Sequence, residues 1–235
     1  MLQQLRQELK KAANQTKAKV LQRFFKTGKG HYGEGDVFYG IMVPNTRAIS
    51  KKYAHLPLQD IRALLYSAVH EERLVALFIL VEQYNKARKN NDNRKLQEYI
   101  DFYLKNSKQV NNWDLVDLSA DKILGDYLLD KDKAILYAYA NSPNLWQRRI
   151  AIISTFHFIK NNQFEDTFAI AELLLEDNHD LIHKAVGWML REVGKRNQAA
   201  EESFLKKHYK RMPRTMLRYA IERFDAKKKL FYMGK

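Results

Sequence analysis

A basic residue followed closely by alanine and an apolar run recurs along this chain: Arg73/Ala76, Arg149/Ala151, Lys184/Ala185 and Arg218/Ala220. The last three are separated by 35 and 34 residues, and the first two by 76, near two such periods. A period of that size is one helical hairpin with its turns. A single hairpin cannot bury its apolar face alone, so it must stack on its neighbours. The expected fold is therefore all-α, a HEAT-like repeat α-solenoid of helical hairpins, with an irregular helical bundle as the alternative. The second helix of each pair would face a concave surface, and the recurring basic residues would line it.

The rest of the chain agrees with helices. Glycine and proline are scarce, at 9 and 4 of 235 residues, which disfavours a turn-rich β fold, and no convincing strand pattern is present. Helical periodicity runs through Leu2–Leu9, Val20–Phe25, Pro44–Ile49, the stretch after Pro57, His70–Tyr84, Leu96–Leu104, the stretch after Asn112, Ala134–Ala140, Leu145–Ile159, Phe164–Leu175, Leu181–Val193, Ala199–Tyr209 and Arg214–Phe224. Arg88–Arg94 reads as a polar linker and hinge, and Lys227–Lys229 as a frayed basic tail. Thr27–Asp36 holds four glycines but no Gly-Lys-Ser/Thr ending, so it reads as a flexible connector and not a nucleotide loop. One domain over residues 1–235 is expected.

The 41 Lys+Arg outnumber the 27 Asp+Glu, a formal net charge of +14, which argues for a polyanionic partner. The absence of cysteine excludes disulfides and thiolate metal sites, and with no signal-peptide core a cytoplasmic location is expected. His179 and His183 have the i, i+4 spacing of helical metal ligands, but no glutamate stands between them and no third ligand follows, so no metal and no cofactor are expected.

Three segments are oddly polar or aromatic for their positions. In Asn112-Trp113-Asp114-Leu115-Val116-Asp117, the apolar stripe Trp113, Val116, Ala120, Ile123 and Leu124 includes Asp117. A carboxylate there must be paired or open into a cleft; a structural ion pair with an arginine is one reading, a functional acid the other. Asp114 has a simpler explanation in helix capping. In Leu145–Ile159 the stripe includes Arg149, beside Arg148. In Leu181–Val193, Trp188 lies off the core stripe on a face with Lys184 and Arg191, either to pack on the next repeat or to stack on a ligand.

These segments, in order, resemble a known family. Trp113-Asp114-Leu115-Val116-Asp117, Leu124-Gly125-Asp126, Trp146-Gln147-Arg148-Arg149 and Ala185-Val186-Gly187-Trp188-Met189-Leu190-Arg191-Glu192 are similar to motifs of the AlkD-type DNA alkylation-repair glycosylases, and Gly40–Arg47 resembles that family's second-repeat entry. The resemblance implies HEAT-like repeats, Asp117 as the catalytic carboxylate, and Trp113 and Trp188 as aromatic walls around the lesion's sugar. It also implies that Arg149 holds the DNA backbone; Arg148, Arg191, Lys184 and Arg47 are further candidate DNA-binding cations. An aromatic on the family's second helix touches DNA; Phe24 or Phe25 stands where the family often has tyrosine. The family includes DNA-binding members without glycosylase activity, and a Gly28–Asp36 loop folded over the cleft would produce one.

The expected activity is hydrolysis of the N-glycosidic bond of cationic N3- or N7-alkylpurines in duplex DNA, leaving an abasic site. Such a base already carries a positive charge and leaves without a general acid, which suits a site with one carboxylate where ordinary glycosidases use two. The alternatives are a non-catalytic binder of damaged or branched DNA and a scaffold for an acidic protein.

Overall fold

The computed structural model describes residues 1–234. It is helical throughout, and among the described residues the only β pairing is an isolated bridge between Val37 and Val69. Its contacts divide into two compact units, Met1–Ser119 and the chain from Ala120 onward.

The first unit holds α1 (Leu2–Lys11), α2 (Gln15–Phe24), α3 (Val43–Lys52), α4 (Leu58–Leu65), α5 (His70–Lys89) and α6 (Asn93–Lys105), and closes in α7 (Trp113–Ala120). Helix α5 is its centre. Every residue from Leu74 to Leu80 is buried, because α1, α3, α4 and α6 all pack around it. That is why α5 is apolar on all sides where an outer helix is amphipathic. Residues 88–94 are no hinge: α5 continues to Lys89 and α6 starts at Asn93. Between them lies a tight turn in which Asn91 takes φ +53 and Asp92 caps α6 through Lys95 N.

The second unit stacks in hairpins. Helices α10 (Leu145–Lys160), α12 (Asp180–Arg196) and α14 (Arg214–Ala220) pack side by side. Helices α9 (Ala134–Ala140), α11 (Glu165–Leu173) and α13 (Gln198–His208) each pack on one or more of them. Arg149, Lys184 and Arg218 fall on α10, α12 and α14 in turn, so the spacing in the sequence is the spacing of neighbouring helices. Close approach is enforced by Gly187, where a Cβ would meet the Met216 carbonyl at 2.3 Å. Preceding these helices, Asp121–Gly125 forms a π-helical turn ahead of the short α8 (Asp126–Leu128). It is seated on α10 through Gly125, whose Cβ would fall 2.4 Å from the Ser154 carbonyl. The tail is ordered: α15 (Ala226–Met233) is capped by Asp225, buries Tyr232, and accepts a bond from Arg214 at the Met233 carbonyl.

The recurring basic residues do not form one exposed row. Arg73 and Arg149 are 3% and 4% exposed, Lys184 is half-buried and Arg218 exposed. The first two are internal ties: Arg73 binds Asp36 and Arg149 binds the Leu181 carbonyl. A pattern of cation, alanine and apolar run marks the repeat correctly, but two of its cations serve packing.

Candidate functional site

The first unit builds its site on the start of α7. Asn112 caps the helix, accepting from Trp113 N, and donates its side-chain amide to Asp36 Oδ2 at 3.1 Å. Leu115, Val116 and Ala120 are fully buried, which fixes the helix's inner face. Trp113 and Asp117 are half-buried at the edge of that face. The expectation that Asp117 sits within the core stripe is corrected accordingly: Leu115 takes the inner position and Asp117 reaches solvent. The Trp113 ring lies parallel on Phe25, with centroids 5.2 Å apart and 11° between planes, and meets Phe24 edge-on at 5.8 Å. Of the two phenylalanines, Phe25 is buried packing and Phe24, 61% exposed, faces outward. Arg47 is exposed on α3, with its guanidinium 4.0 Å from the centre of the Phe78 ring.

Asp114 does more than cap. One oxygen accepts from Leu115 N, and the other is 2.8 Å from Nε2 of His70, the first residue of α5. His70 Nδ1 lies 3.5 Å from Asp36 Oδ2, which also accepts from Arg73 Nη2 at 2.6 Å. Burial works to raise the Asp36 carboxyl, but the bond from His70 and the charge of Arg73 outweigh it and hold it below its usual range. The Thr27–Asp36 segment is therefore no loose connector. It runs through consecutive turns, buries Gly33, and ends pinned by Asp36. This cluster was missed in the sequence. Its signal was His70-Glu71-Glu72-Arg73, four polar residues opening a helix that then runs apolar from Leu74 to Val81.

In the second unit Trp188, Lys184 and Arg191 share one face of α12, off the buried stripe Ile182, Ala185, Val186, Met189 and Val193. The Trp188 indole N–H donates to Glu192 at 3.0 Å, and its ring meets Phe156 of α10 at 5.7 Å. Glu192 also pairs with Lys195, Arg191 with Glu222, and Lys184 with Asp180. Arg148 and Arg149 both reach the entry of α12. Arg148 binds Asp177 at 2.6 Å and the Ser142 and Pro143 carbonyls; Arg149 donates to the Leu181 carbonyl at 2.5 Å. His179 caps α12 through Leu181 N, while His183 binds the Asp177 carbonyl. Among the described residues, no three His, Asp or Glu side chains gather as a metal site would require.

A sequence model of the family described as DNA alkylation repair enzyme matches residues 5–224. This chain belongs to the DNA alkylation repair enzyme family. A role in alkylation repair, with DNA as substrate, follows from that membership. The fold agrees: a solved structure titled "Predicted DNA alkylation repair enzyme from Enterococcus faecalis" superposes with a TM-score of 0.71 at 19% identity, covering 91% of this chain and 97% of that one. Among curated proteins no relative matches. For this member of the family, no helix among the described residues is long and apolar enough to cross a membrane.

Proposed function

We propose that this protein is a monofunctional DNA glycosylase that removes cationic N3- or N7-alkylated purines from duplex DNA and leaves an abasic site. The observation that carries the reading is the pairing, on successive turns of α7, of a half-buried carboxylate with a half-buried indole stacked on Phe25. Departure of a cationic base leaves an oxocarbenium-like sugar. A carboxylate about 4 Å away, at an effective dielectric of about 20, attracts it by about 4 kcal/mol, roughly a thousandfold in rate. That suffices for an already labile bond and not for a neutral base. Asp117 supplies this charge and orients the attacking water; Trp113 and Trp188 add cation–π attraction of about 0.5–2 kcal/mol each.

Lys184, Arg191, Arg47 and Phe24 meet the duplex, while Arg148 and Arg149 contribute charge and fix the first turn of α12 that presents Lys184 and Trp188. Residues 1–235 act as a single DNA-binding domain, a cytoplasmic monomer without a cofactor. The test is incubation with labelled duplexes carrying 7-methylguanine or uracil, read with and without alkali. Alkali-dependent breaks are expected with 7-methylguanine alone. Breaks trapped by borohydride would mean an amine nucleophile. Tight duplex binding with no excision of either would make the protein a non-catalytic binder.

A further inference from the structure

His70 is 2% exposed and touches three separate segments of the first unit. Its Nε2 meets Asp114 on α7 at 2.8 Å, and its Nδ1 meets Asp36, the end of the glycine-rich segment, at 3.5 Å. Arg73, one turn along α5, shares the same Asp36 oxygen. The other acids of α5's first turn face elsewhere: Glu71 accepts from the backbone N–H groups of Tyr39, Gly40 and Ile41, and Glu72 from Arg6. The imidazole lies against Phe38 at 4.6 Å and Phe25 at 4.8 Å, and Phe25 in turn carries Trp113. One ring thus reaches the first turn of α7 by two routes, a hydrogen bond to Asp114 and an aromatic relay to Trp113.

We infer that His70 is a positioning residue: bound to Asp114 and Asp36, it fixes the first turn of α7 and so the orientation of Trp113 and, one turn on, of Asp117. Its effect on excision rests on the glycosylase reading above; its effect on Trp113 does not. A neutral imidazole has one N–H and can donate to only one of the two carboxylates, whereas the charged ring can donate to both. Burial and the charge of Arg73, whose Nη2 lies 3.4 Å from the ring's Nδ1, oppose that charge, but Asp114 and then Asp36 outweigh them and push His70 up to about 9. The clamp is complete at neutral pH and loses one of its two bonds near pH 9.

The test uses the full chain and two readouts. Tryptophan fluorescence is titrated from pH 6 to 10 in the wild type, His70→Gln, Asp114→Asn and Trp113→Phe. A transition near pH 9 is expected in the wild type and is absent from His70→Gln and Trp113→Phe. In Asp114→Asn, where the ring loses its strongest anionic partner, the midpoint moves to lower pH by one unit or more. Single-turnover excision of 7-methylguanine at neutral pH is expected to fall ten- to a hundredfold in His70→Gln, with duplex affinity within about twofold of wild type. A transition that survives in His70→Gln overturns the inference; if that variant does not fold, a midpoint unmoved in Asp114→Asn overturns it equally. A wild type that excises nothing yet shows the transition, lost in His70→Gln, sinks the glycosylase reading and upholds the positioning of Trp113.

Discussion

Helix α7 in the first unit and α12 in the second each carry a half-buried tryptophan, and each holds it differently. Trp113 is set by stacking on Phe25, itself stacked on Phe38, with a buried imidazole against both phenylalanines. Trp188 is set by a hydrogen bond to Glu192, a residue that also carries Lys195 and sits 3.7 Å from Arg191. The first arrangement is a packed aromatic stack and depends on shape. The second is an ionic web at the surface, where each pair is worth about 0–1 kcal/mol and is screened by salt. A reacting centre needs side chains locked by packing, while a surface that follows a phosphate backbone tolerates adjustable contacts. Under the proposed function, the contrast would place the reacting carboxylate on α7 and leave α12 to supply a stacking indole and backbone contacts.

The largest expected effect tests that division. Asp117→Asn removes a charge and keeps the shape, and should lower the excision rate about a thousandfold while leaving folding and duplex affinity near wild type. Glu192→Gln, the matched change on α12, should cost less than tenfold. Equal losses in single-turnover assays would abolish the distinction.

Next comes stability against pH, where the two units differ in mechanism. The charge on His70 stabilises the fold fully below about 6.5, and that contribution is lost as pH rises through 9. At 1.36 kcal/mol per unit, the slope amounts to about 3 kcal/mol between those limits. In the second unit, Glu201 is 1% exposed and its Oε1 has no hydrogen-bond partner; burial and then the charge of Glu202 push its carboxyl up to about 8. Its neutral form also favours the fold at low pH, and that preference is lost between about 4.5 and 8. Denaturant titrations at several pH values from about 4.5 to about 9 should show His70→Gln flattening the upper part of this decline. Glu201→Gln should flatten the lower part and be the more stable protein at pH 9 by roughly 1–2 kcal/mol. A Glu201→Gln protein weaker than wild type at pH 9 would mean the carboxylate has a partner in solution.

The smallest effect separates two cations of the second unit. Lys184→Gln should leave thermal stability unchanged and weaken duplex binding two- to threefold, with the salt slope reduced by about 1. Arg148→Gln strips the guanidinium from Asp177, a carboxylate 5% exposed, and should lower the melting temperature by several degrees. The reverse pattern would make Arg148 the backbone contact.

Most of the helices were legible because the fold is made of neighbours in sequence. Apolar spacing locates α9 at Ala134–Ala140 without error and α10 to within one residue. The weak points are polar. Arg73 looks like a surface cation, and the core-like place of Arg149 goes unexplained, because nothing local reveals a carboxylate or carbonyl more than 30 residues away waiting for them. For the same reason, Asp114 reads as a cap until His70, 44 residues earlier, is placed beside it. Lys227–Lys229 looks frayed because its stabilising contact, Arg214 to the Met233 carbonyl, is also non-local. Asp117 and Trp113 were found as a pair, since i and i+4 on one helix is local geometry; their surroundings were not.

The pinning of Asp36 has a practical side. Residues Gly28–His31 are exposed, while the segment they belong to is anchored at its far end by Arg73 and Asn112. A fluorophore attached through a cysteine introduced at Lys29 would ride on a fixed base in a chain with no other thiol to compete for it. Length changes between Gly28 and His31 would be absorbed at the tip before reaching α7.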